Sequence, residues 1–180
     1  MRKLKALVLL FLFCVTQIAP VLPGLTQSKL ITGRLHVVGN EPFTRLVCRK
    51  KSGGSYIIEG ELLGELRNLQ GAIVRLEGEE AGKAPEYGIS ILIVKNYRVL
   101  SINGKNPLIG VLALEDDRLF LIAEDGKIYI LTGNLHNKLK DSTGAKVWVN
   151  GKVKGSLFSW ITKRYKLSIT SFGVIIPVNQ

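Results

Sequence analysis

The sequence has few of the side chains that usually carry catalysis or bind metals. It contains two cysteines and two histidines in 180 residues, and no His, Cys and carboxylate spacing matches a metal site. The isolated His36 and His136 favour structural or solvated roles. The acidic run 115–117 lacks the spaced oxygen ligands of a calcium loop and is read as a hairpin turn. No P-loop, Gly-x-Ser-x-Gly or dinucleotide motif occurs, so we expect no enzyme, no cofactor and no metal.

An apolar run long enough to cross a membrane is also missing. Ala6 to Val15 is apolar, but a spanning helix needs about 20 residues. Basic residues precede this run, and prolines and small residues follow it. That order is typical of a secretory signal peptide, so residues 1–28 are predicted to be one, with cleavage near 24–28. If the segment is not cleaved, it would anchor the protein in the membrane.

Removal of the signal peptide would leave Cys48 as a single cysteine. A lone thiol forms no internal disulfide, so cysteine usage neither supports nor contradicts an oxidising compartment. Cys48 is expected to pack in a core. The predicted location is the periplasm, the cell envelope or the extracellular space.

Long helix-forming stretches are scarce, whereas short runs rich in Val, Ile, Leu and Thr recur and predict many short strands. These runs also repeat along the chain. Matching positions, each 73 residues apart, are Arg45 and Arg118, Tyr56 and Tyr129, Gly60 and Gly133, Gly71 and Gly144, and Gly78 and Gly151. A constant shift over so many positions predicts two copies of one small domain, at 29–104 and 105–180.

Each copy gives three strands, a short helical stretch and two more strands. In the second copy Asp125-Gly126 carries a hairpin signal, Asn134 is placed as a helix cap and Gly144 as the helix end. This is the order of the OB-fold, a five-stranded Greek-key barrel. The fold class is therefore predicted as all-β with one short helix per repeat, forming two tandem OB-like barrels. In element order the chain resembles bacterial exported OB-fold proteins; a tandem sandwich of another topology is the alternative.

OB-folds usually bind ligands on the face of strands 2 and 3 and in the loops beside it. Alternation along strand 2 of the first copy predicts that Leu46 and Cys48 face the core. The outward residues form a basic strip: Arg45, Val47, Arg49 and Lys51. Its three cationic side chains are candidates for contact with an anionic ligand.

In the second copy the equivalent face is apolar. Its residues, candidates for a protein interface, are Phe120, Ile122, Ile128 and Ile130. A soluble monomer should not leave such a face bare, so we expect it to pack on the first copy, on a second chain or on a partner protein. The alternatives are that the faces are assigned the wrong way round or that loops cover them.

A second basic region lies late in the chain, where Asp141 is the only acidic residue after Gly126. Its candidate ligand-binding residues are Lys152, Lys154, Trp160, Lys163 and Arg164. Basic side chains interleaved with aromatic ones suit nucleic acid, glycan or anionic lipid. The alternative is a solvated barrel end with Trp160 tucked into its rim.

The formal charge of +11 favours anionic partners, and loss of the signal peptide would leave the protein basic. The sequence thus predicts an exported, non-enzymatic binding or scaffold protein whose ligand is an anionic polymer or an envelope protein. Self-association into a homo-oligomer is a further expectation. The alternatives are an extracytoplasmic nucleic-acid-binding protein and a hydrolase.

Overall fold

A computed structural model describes residues 28–154 and 164–178 of the chain. Its strands are β1 Lys29–Val38, β2 Arg45–Lys50, β3 Ser55–Glu59, β4 Ile73–Lys83, β5 Ser90–Ser101, β6 Leu108–Glu115, β7 Arg118–Ala123, β8 Ile128–Thr132, β9 Lys146–Lys154 and β10 Arg164–Ile176. Its helices are α1 Leu63–Arg67 and α2 His136–Lys140. Residues 1–27 of the predicted signal peptide, Trp160 and Lys163 lie outside the described residues.

The strands close into two barrels of the same topology. The first has the order β1-β2-β3-β5-β4, and the second has the equivalent order β6-β7-β8-β10-β9. β3 runs parallel to β5, and β8 runs parallel to β10, while the other neighbours are antiparallel. A short helix separates the third and fourth strands of each barrel. This is the OB arrangement, so the prediction of two OB-like barrels is confirmed and the alternative of a sandwich is wrong.

Each barrel is filled by the inward side chains of its strands. Leu46 and Cys48 lie in the first core, and the residues 73 positions later, Leu119 and Leu121, lie in the second. Each of these leucines is at most 1% exposed, and burial of one such side chain contributes roughly 1.5–3 kcal/mol. The alternation along the second strand therefore placed the core face correctly in both copies.

Barrel closure depends on a glycine in the first strand of each copy. Gly33 pairs with Lys50 of β2 and with Val74 of β4, so β1 bonds to two strands at one residue. A Cβ atom on Gly33 would lie 2.5 Å from the carbonyl oxygen of Arg49, and one on Gly110 in β6 would lie 2.1 Å from that of Ile122. Any larger residue would push the neighbouring strand away at the point where the sheet closes.

The two short helices do not use side-chain caps. Asn134 was predicted to cap α2, but the residue before the helix is Leu135, and no side chain caps it by a hydrogen bond. Instead the backbone N–H of His136 donates to the carbonyl oxygen of Gly133, 3.1 Å away, and this turn brings the chain into the helix. The helix ends at Lys140 with Asp141 as its C-cap, so the prediction that Gly144 ends it was wrong by three residues; Gly144, with a φ of +90°, instead ends the turn that leads into β9.

The two barrels are packed against each other along a seam. Ile175 of β10 is buried with the core residues of the first barrel, and Ile109 and Trp148 pack against the same cluster. The side-chain amide of Asn68 donates to the carbonyl oxygen of Ile175 at 2.9 Å. The seam therefore combines shared apolar burial with at least one hydrogen bond between the barrels.

Polar side chains line the seam beside this apolar contact. The ammonium group of Lys146 in β9 lies 3.5 Å from a carboxylate oxygen of Glu65 in α1 and 3.3 Å from one of Glu124. The Tyr97 hydroxyl donates to Glu65 at 2.5 Å. Burial and the Glu65 carboxylate raise the pKa of Tyr97 well above its ordinary value, so its phenol stays protonated and remains a donor.

No helix of the described residues is long and apolar enough to cross a membrane.

Candidate binding cleft

A cleft of about 490 Å³ opens on the first barrel. It lies between the β1–β2 loop (39–44) and the β4–β5 loop (84–89), beside the outward faces of β2 and β3. We call it the binding cleft, and its lining residues are Phe43, Thr44, Arg45, Leu46, Ile57, Ile58, Glu59, Leu63, Arg67, Glu86 and Tyr87. A smaller hollow of about 200 Å³ shares Phe43, Arg45, Ile57 and Tyr87 with it.

The β1–β2 loop is fastened at its base by α1. The Arg67 guanidinium donates to the Thr44 hydroxyl at 3.2 Å and to the Thr44 carbonyl oxygen at 3.0 Å. Within the loop, the N–H of Phe43 donates to the carbonyl oxygen of Asn40 at 2.8 Å. These bonds turn the chain so that the Phe43 ring projects into solvent, where it is 82% exposed.

The β4–β5 loop is a tight turn that presents Tyr87. The N–H of Ala84 donates to the carbonyl oxygen of Ile89 at 2.8 Å, and the N–H groups of Tyr87 and Gly88 return to the carbonyl oxygen of Ala84 at 3.2 and 2.9 Å. Gly88 has a φ of +62°, a conformation that glycine adopts without strain. Tyr87 is 58% exposed as a result.

Arg45 completes the exposed part of the cleft. Its guanidinium carbon lies 5.7 Å from the centroid of the Tyr87 ring, within the range of a cation–π contact. The cleft thus offers the rings of Phe43 and Tyr87 and a guanidinium plane. Such flat groups are the surfaces on which unstacked bases and other planar ligands pack.

The predicted basic strip is interrupted by Val47. Val47 is buried in a small cluster with Ile57 and Ala84, and Ile89 and Ile91 pack against it. The prediction that it shares an open face with the arginines was wrong, because the β4–β5 segment folds back over the sheet at this point. Of the three predicted cationic ligands, Arg45 lines the cleft, whereas the exposed Arg49 and Lys51 lie away from it.

The charges lining the cleft are mixed. Arg45 and Arg67 bring positive charge, and Glu59 and Glu86 bring negative charge. A site selected only for net positive potential would not place two carboxylates at its wall. Recognition at this point therefore relies on the aromatic faces and on individual polar contacts, with the wider basic surface supplying long-range attraction.

Phe43 and Tyr87 were missed by the sequence reasoning, which searched the strands of the first copy and the late aromatic residues of the second. Both lie in the two loops that flank an OB binding face. An aromatic residue beside the turn-forming Pro42 or Gly88 was the available signal. This signal could have identified Phe43 and Tyr87 once the alignment of the two repeats had located the loops.

The predicted apolar face of the second barrel is only partly open. Phe120 lies opposite Ile130, and Ile122 lies opposite Ile128, so the four residues do share a face. Phe120 is 8% exposed, which corrects the expectation that its ring is available for contact with a partner. Ile122 is 47% exposed, and Ile128 and Ile130 are half-buried. Exposed Val111 lies opposite Ile122 on β6 and extends the apolar surface beyond the predicted set.

The late basic residues within the described part of the chain share one face of the β9–β10 ribbon. Lys154 lies opposite Lys166, and Lys152 lies opposite Ser168. Arg164 stands two residues before Lys166 and so points to the same side. The ribbon therefore brings together the predicted Lys152, Lys154 and Arg164.

The described residues contain no group of three or more His, Cys, Asp or Glu side chains that could hold a metal ion. Cys48 is fully buried, and desolvation raises its pKa to about 11. A thiol with that pKa is almost entirely protonated near neutral pH, so it is a poor nucleophile. The arrangement favours binding over covalent chemistry.

No protein-family model matches this sequence, and no curated protein matches it. Among solved structures, the wild-type single-stranded DNA binding protein from Thermus aquaticus is similar at 13% identity and a TM-score of 0.27, over 85% of this chain and 93% of that one. A deletion mutant of that protein is similar at 12% identity and a TM-score of 0.27, over 85% of this chain and 95% of that one. At such TM-scores the likeness carries no argument, so the fold assignment rests on strand order and register.

Proposed function

We propose that the first barrel binds single-stranded nucleic acid in the binding cleft. The observation that carries the proposal is the pair of exposed rings, Phe43 and Tyr87, which line one cleft with Arg45 at the ligand position of an OB barrel. OB barrels bind oligonucleotides and oligosaccharides at this place. Proteins that bind single strands without base readout combine aromatic stacking platforms with a positively charged surface, and this chain has both.

The exposure of the two rings supports a binding role over a structural one. A buried aromatic side chain stabilises the fold, whereas Phe43 and Tyr87 leave most of their apolar area in water. Loops that hold such rings outward by four backbone hydrogen bonds present them to a ligand. Stacking of a base on each ring is worth roughly 1–3 kcal/mol.

The direct test is fluorescence anisotropy with a labelled oligo(dT) probe against the wild type and the Phe43→Ala/Tyr87→Ala double variant. Loss of both platforms should weaken binding by a factor on the order of 30 or more, given the energy of stacking a base on each ring. Leu30→Ala is the matched control, because Leu30 is 64% exposed on β1 and does not line the cleft. Equal affinity for the wild type and the double variant would contradict the proposal.

A neutral oligosaccharide serves as the competing probe. It can stack on the same rings, but it has no phosphates, so its affinity should not depend on salt. Binding of oligo(dT) should instead weaken as salt rises, through release of counterions from the strand. Tight, salt-independent binding of the oligosaccharide with no binding of oligo(dT) would assign the cleft to glycans.

We further propose that the protein acts outside the cytoplasm. The support is that basic, apolar and then small residues follow one another at its N-terminus, as in a secretory signal peptide. The ligand would then be extracytoplasmic nucleic acid. Expression of the full chain, followed by cell fractionation and mass determination of the product, tests this. An exported product shortened near residues 24–28 is expected, and a full-length product confined to the cytoplasm would contradict it.

A further inference from the structure

Four arginines lie in a line across the outer surface of the first barrel, away from the binding cleft. Arg49 of β2 is directly opposite Arg34 of β1, and Arg75 of β4 is directly opposite Arg98 of β5. β1 and β4 are themselves neighbours, with Arg75 opposite Thr32, two residues from Arg34. We call Arg49, Arg34, Arg75 and Arg98 the arginine band.

Pairing geometry puts the four side chains on the same outward side. Residues directly opposite each other in an antiparallel pair point to one face, with Cβ atoms about 4.5–5.5 Å apart, and diagonal neighbours are about 7–8 Å apart. The inward neighbours Leu35, Val74 and Leu76 are buried in the core, and all four arginines are exposed. Because adjacent strands are about 4.8 Å apart, the arginine band crosses four strands over roughly 14 Å.

This arrangement is unfavourable for the protein alone. Like charges directly opposite each other destabilise a sheet, and the arginine band contains two such pairs. Within the described residues, no ion pair joins any of the four to an acidic side chain. Arg34 does donate to the carbonyl oxygen of Gly71 at 2.8 Å, which fixes its position and leaves its charge uncompensated.

Among the described residues, the acidic groups beside the band form no ion pair with its arginines. Glu77 follows Arg75 by two residues on β4 and accepts a hydrogen bond from Ser28 at 3.3 Å. Glu124 and Asp125 line a second cleft together with Arg98. Glu124 and Asp125 are each paired with a lysine: Glu124 lies 3.3 Å from Lys146, and Asp125 lies 2.6 Å from Lys127.

We infer that the arginine band is a second contact surface for the same nucleic-acid strand, binding its phosphates after the strand leaves the cleft. Arg45 in the cleft and Arg49 at the start of the band stand on one strand, four residues and about 13 Å apart. A strand that stacks on Phe43 and Tyr87 can thus pass over the β4–β5 segment that covers Val47, reach Arg49 and turn across β1, β4 and β5. This inference rests on the proposed function of the cleft and lengthens its binding site.

The test compares a short and a long labelled oligo(dT), one sized to the cleft alone and one several times longer. The variant is Arg49→Gln/Arg75→Gln/Arg98→Gln, which keeps the Arg34 hydrogen bond. The matched control, Lys95→Gln/Lys105→Gln/Lys138→Gln, removes the same charge from exposed positions outside the band. Affinity is measured by anisotropy across a series of salt concentrations.

The band variant should bind the long oligonucleotide at least tenfold more weakly at about 0.1 M salt. The slope of its log affinity against log salt should fall by about 2, since each phosphate contact on a single strand contributes about 0.7. Its affinity for the short oligonucleotide should change much less, and the lysine control should behave as the wild type. Without ligand, the band variant should unfold at a higher temperature, because the opposed charges are gone.

Four results would overturn the inference. One is an unchanged salt slope for the long oligonucleotide in the band variant, and another is an equal change in the lysine control. If either occurs while Phe43→Ala/Tyr87→Ala still abolishes binding, the cleft proposal stands and the band proposal fails. The third is heparin binding with the same affinity and the same dependence on the three arginines, which would make the band a general polyanion surface. If neither oligonucleotide binds the wild type, both proposals fail.

Discussion

Removal of an exposed side chain in the binding cleft of this protein should change ligand binding, whereas removal of a half-buried one at the seam should change stability. Phe43 and Tyr87 contribute little to folding, since their rings lie mainly in water. Tyr97 is different, because its hydroxyl is one of the donors to a half-buried carboxylate, Glu65, at the seam. Substitutions at the first two positions should therefore affect binding, and a substitution at Tyr97 should affect stability.

Tyr97→Phe should lower the free energy of unfolding by about 1–3 kcal/mol, the usual cost of losing a hydrogen bond to a partly buried charged acceptor. Chemical denaturation followed by tryptophan fluorescence measures this. Tyr165→Phe is the control, because it removes the same hydroxyl from another half-buried tyrosine, whose ring lies against Tyr129, 5.5 Å away. An equal effect of the two substitutions would show that the Tyr97 hydroxyl bond adds no stability.

The strands and their order were largely predictable from the sequence. Alternation along β2 and β7 placed Leu46 and Leu119 inside, and the repeat spacing of 73 residues relates β2, β3, α1 and β4 to β7, β8, α2 and β9. The Asp125-Gly126 turn was also signalled, although the hairpin loop is longer than the two residues predicted, since the N–H of Ala123 donates to the carbonyl oxygen of Lys127 at 2.9 Å. Local sequence patterns suffice to predict a pair of strands where a short turn joins the two.

The elements that were misjudged depend on contacts between segments far apart in sequence. Val47 is covered by Ala84, Ile89 and Ile91, and no property of β2 alone shows that the β4–β5 segment folds over it. The burial of Phe120 at the matching position of β7 was missed for the same kind of reason. The cleft was half predicted, because Arg45 could be read from strand alternation while Phe43 and Tyr87 are presented by loops.

The close strand approach at the first strand of each barrel gives a prediction for the elements. Gly110→Ala would put a Cβ atom 2.1 Å from the carbonyl oxygen of Ile122, so β6 and β7 must separate. We expect a loss of about 3 kcal/mol or more in unfolding free energy, a size typical of steric failure in a packed region. Thermal unfolding measures it.

Gly64→Ala is the control for that substitution. Gly64 lies in α1, where a Cβ atom would have no neighbouring atom within 4 Å, and alanine is favoured over glycine in a helix by about 1 kcal/mol. This variant should be as stable as the wild type or more stable. If Gly110→Ala unfolds at the same temperature as Gly64→Ala, the barrel does not need the close approach of β6 to β7.

For the molecule as a whole, the two barrels share a topology and differ in the surfaces they expose. The first combines the aromatic cleft with the arginine band. The second exposes Val111 and Ile122 on adjacent strands, together with a basic β9–β10 ribbon. The duplication has thus preserved the cores while the outer faces have diverged, and we propose that the apolar surface of the second barrel contacts another copy of the chain or a partner protein.

Ile122→Asp should abolish self-association if that surface joins two copies, because the substitution places a charge at the centre of the apolar contact. Sedimentation velocity over a range of concentrations measures the change. Leu114→Asp is the control, since Leu114 is similarly exposed, 44% against 47%, at the end of β6 and does not share the outward side of Val111. A wild type that is monomeric at all concentrations would exclude contact between copies.

The most direct test of the cleft is photocrosslinking of the wild type to a single-stranded oligonucleotide that carries 5-iodouracil, with the attached peptides identified by mass spectrometry. Stacking on the exposed rings places iodinated bases against Phe43 and Tyr87, so we predict that the crosslinks fall mainly on these two residues. Substitution of both by alanine should remove those crosslinks. Crosslinks confined to the β9–β10 ribbon or to the second barrel, with Phe43 and Tyr87 unmodified, would contradict binding in the cleft.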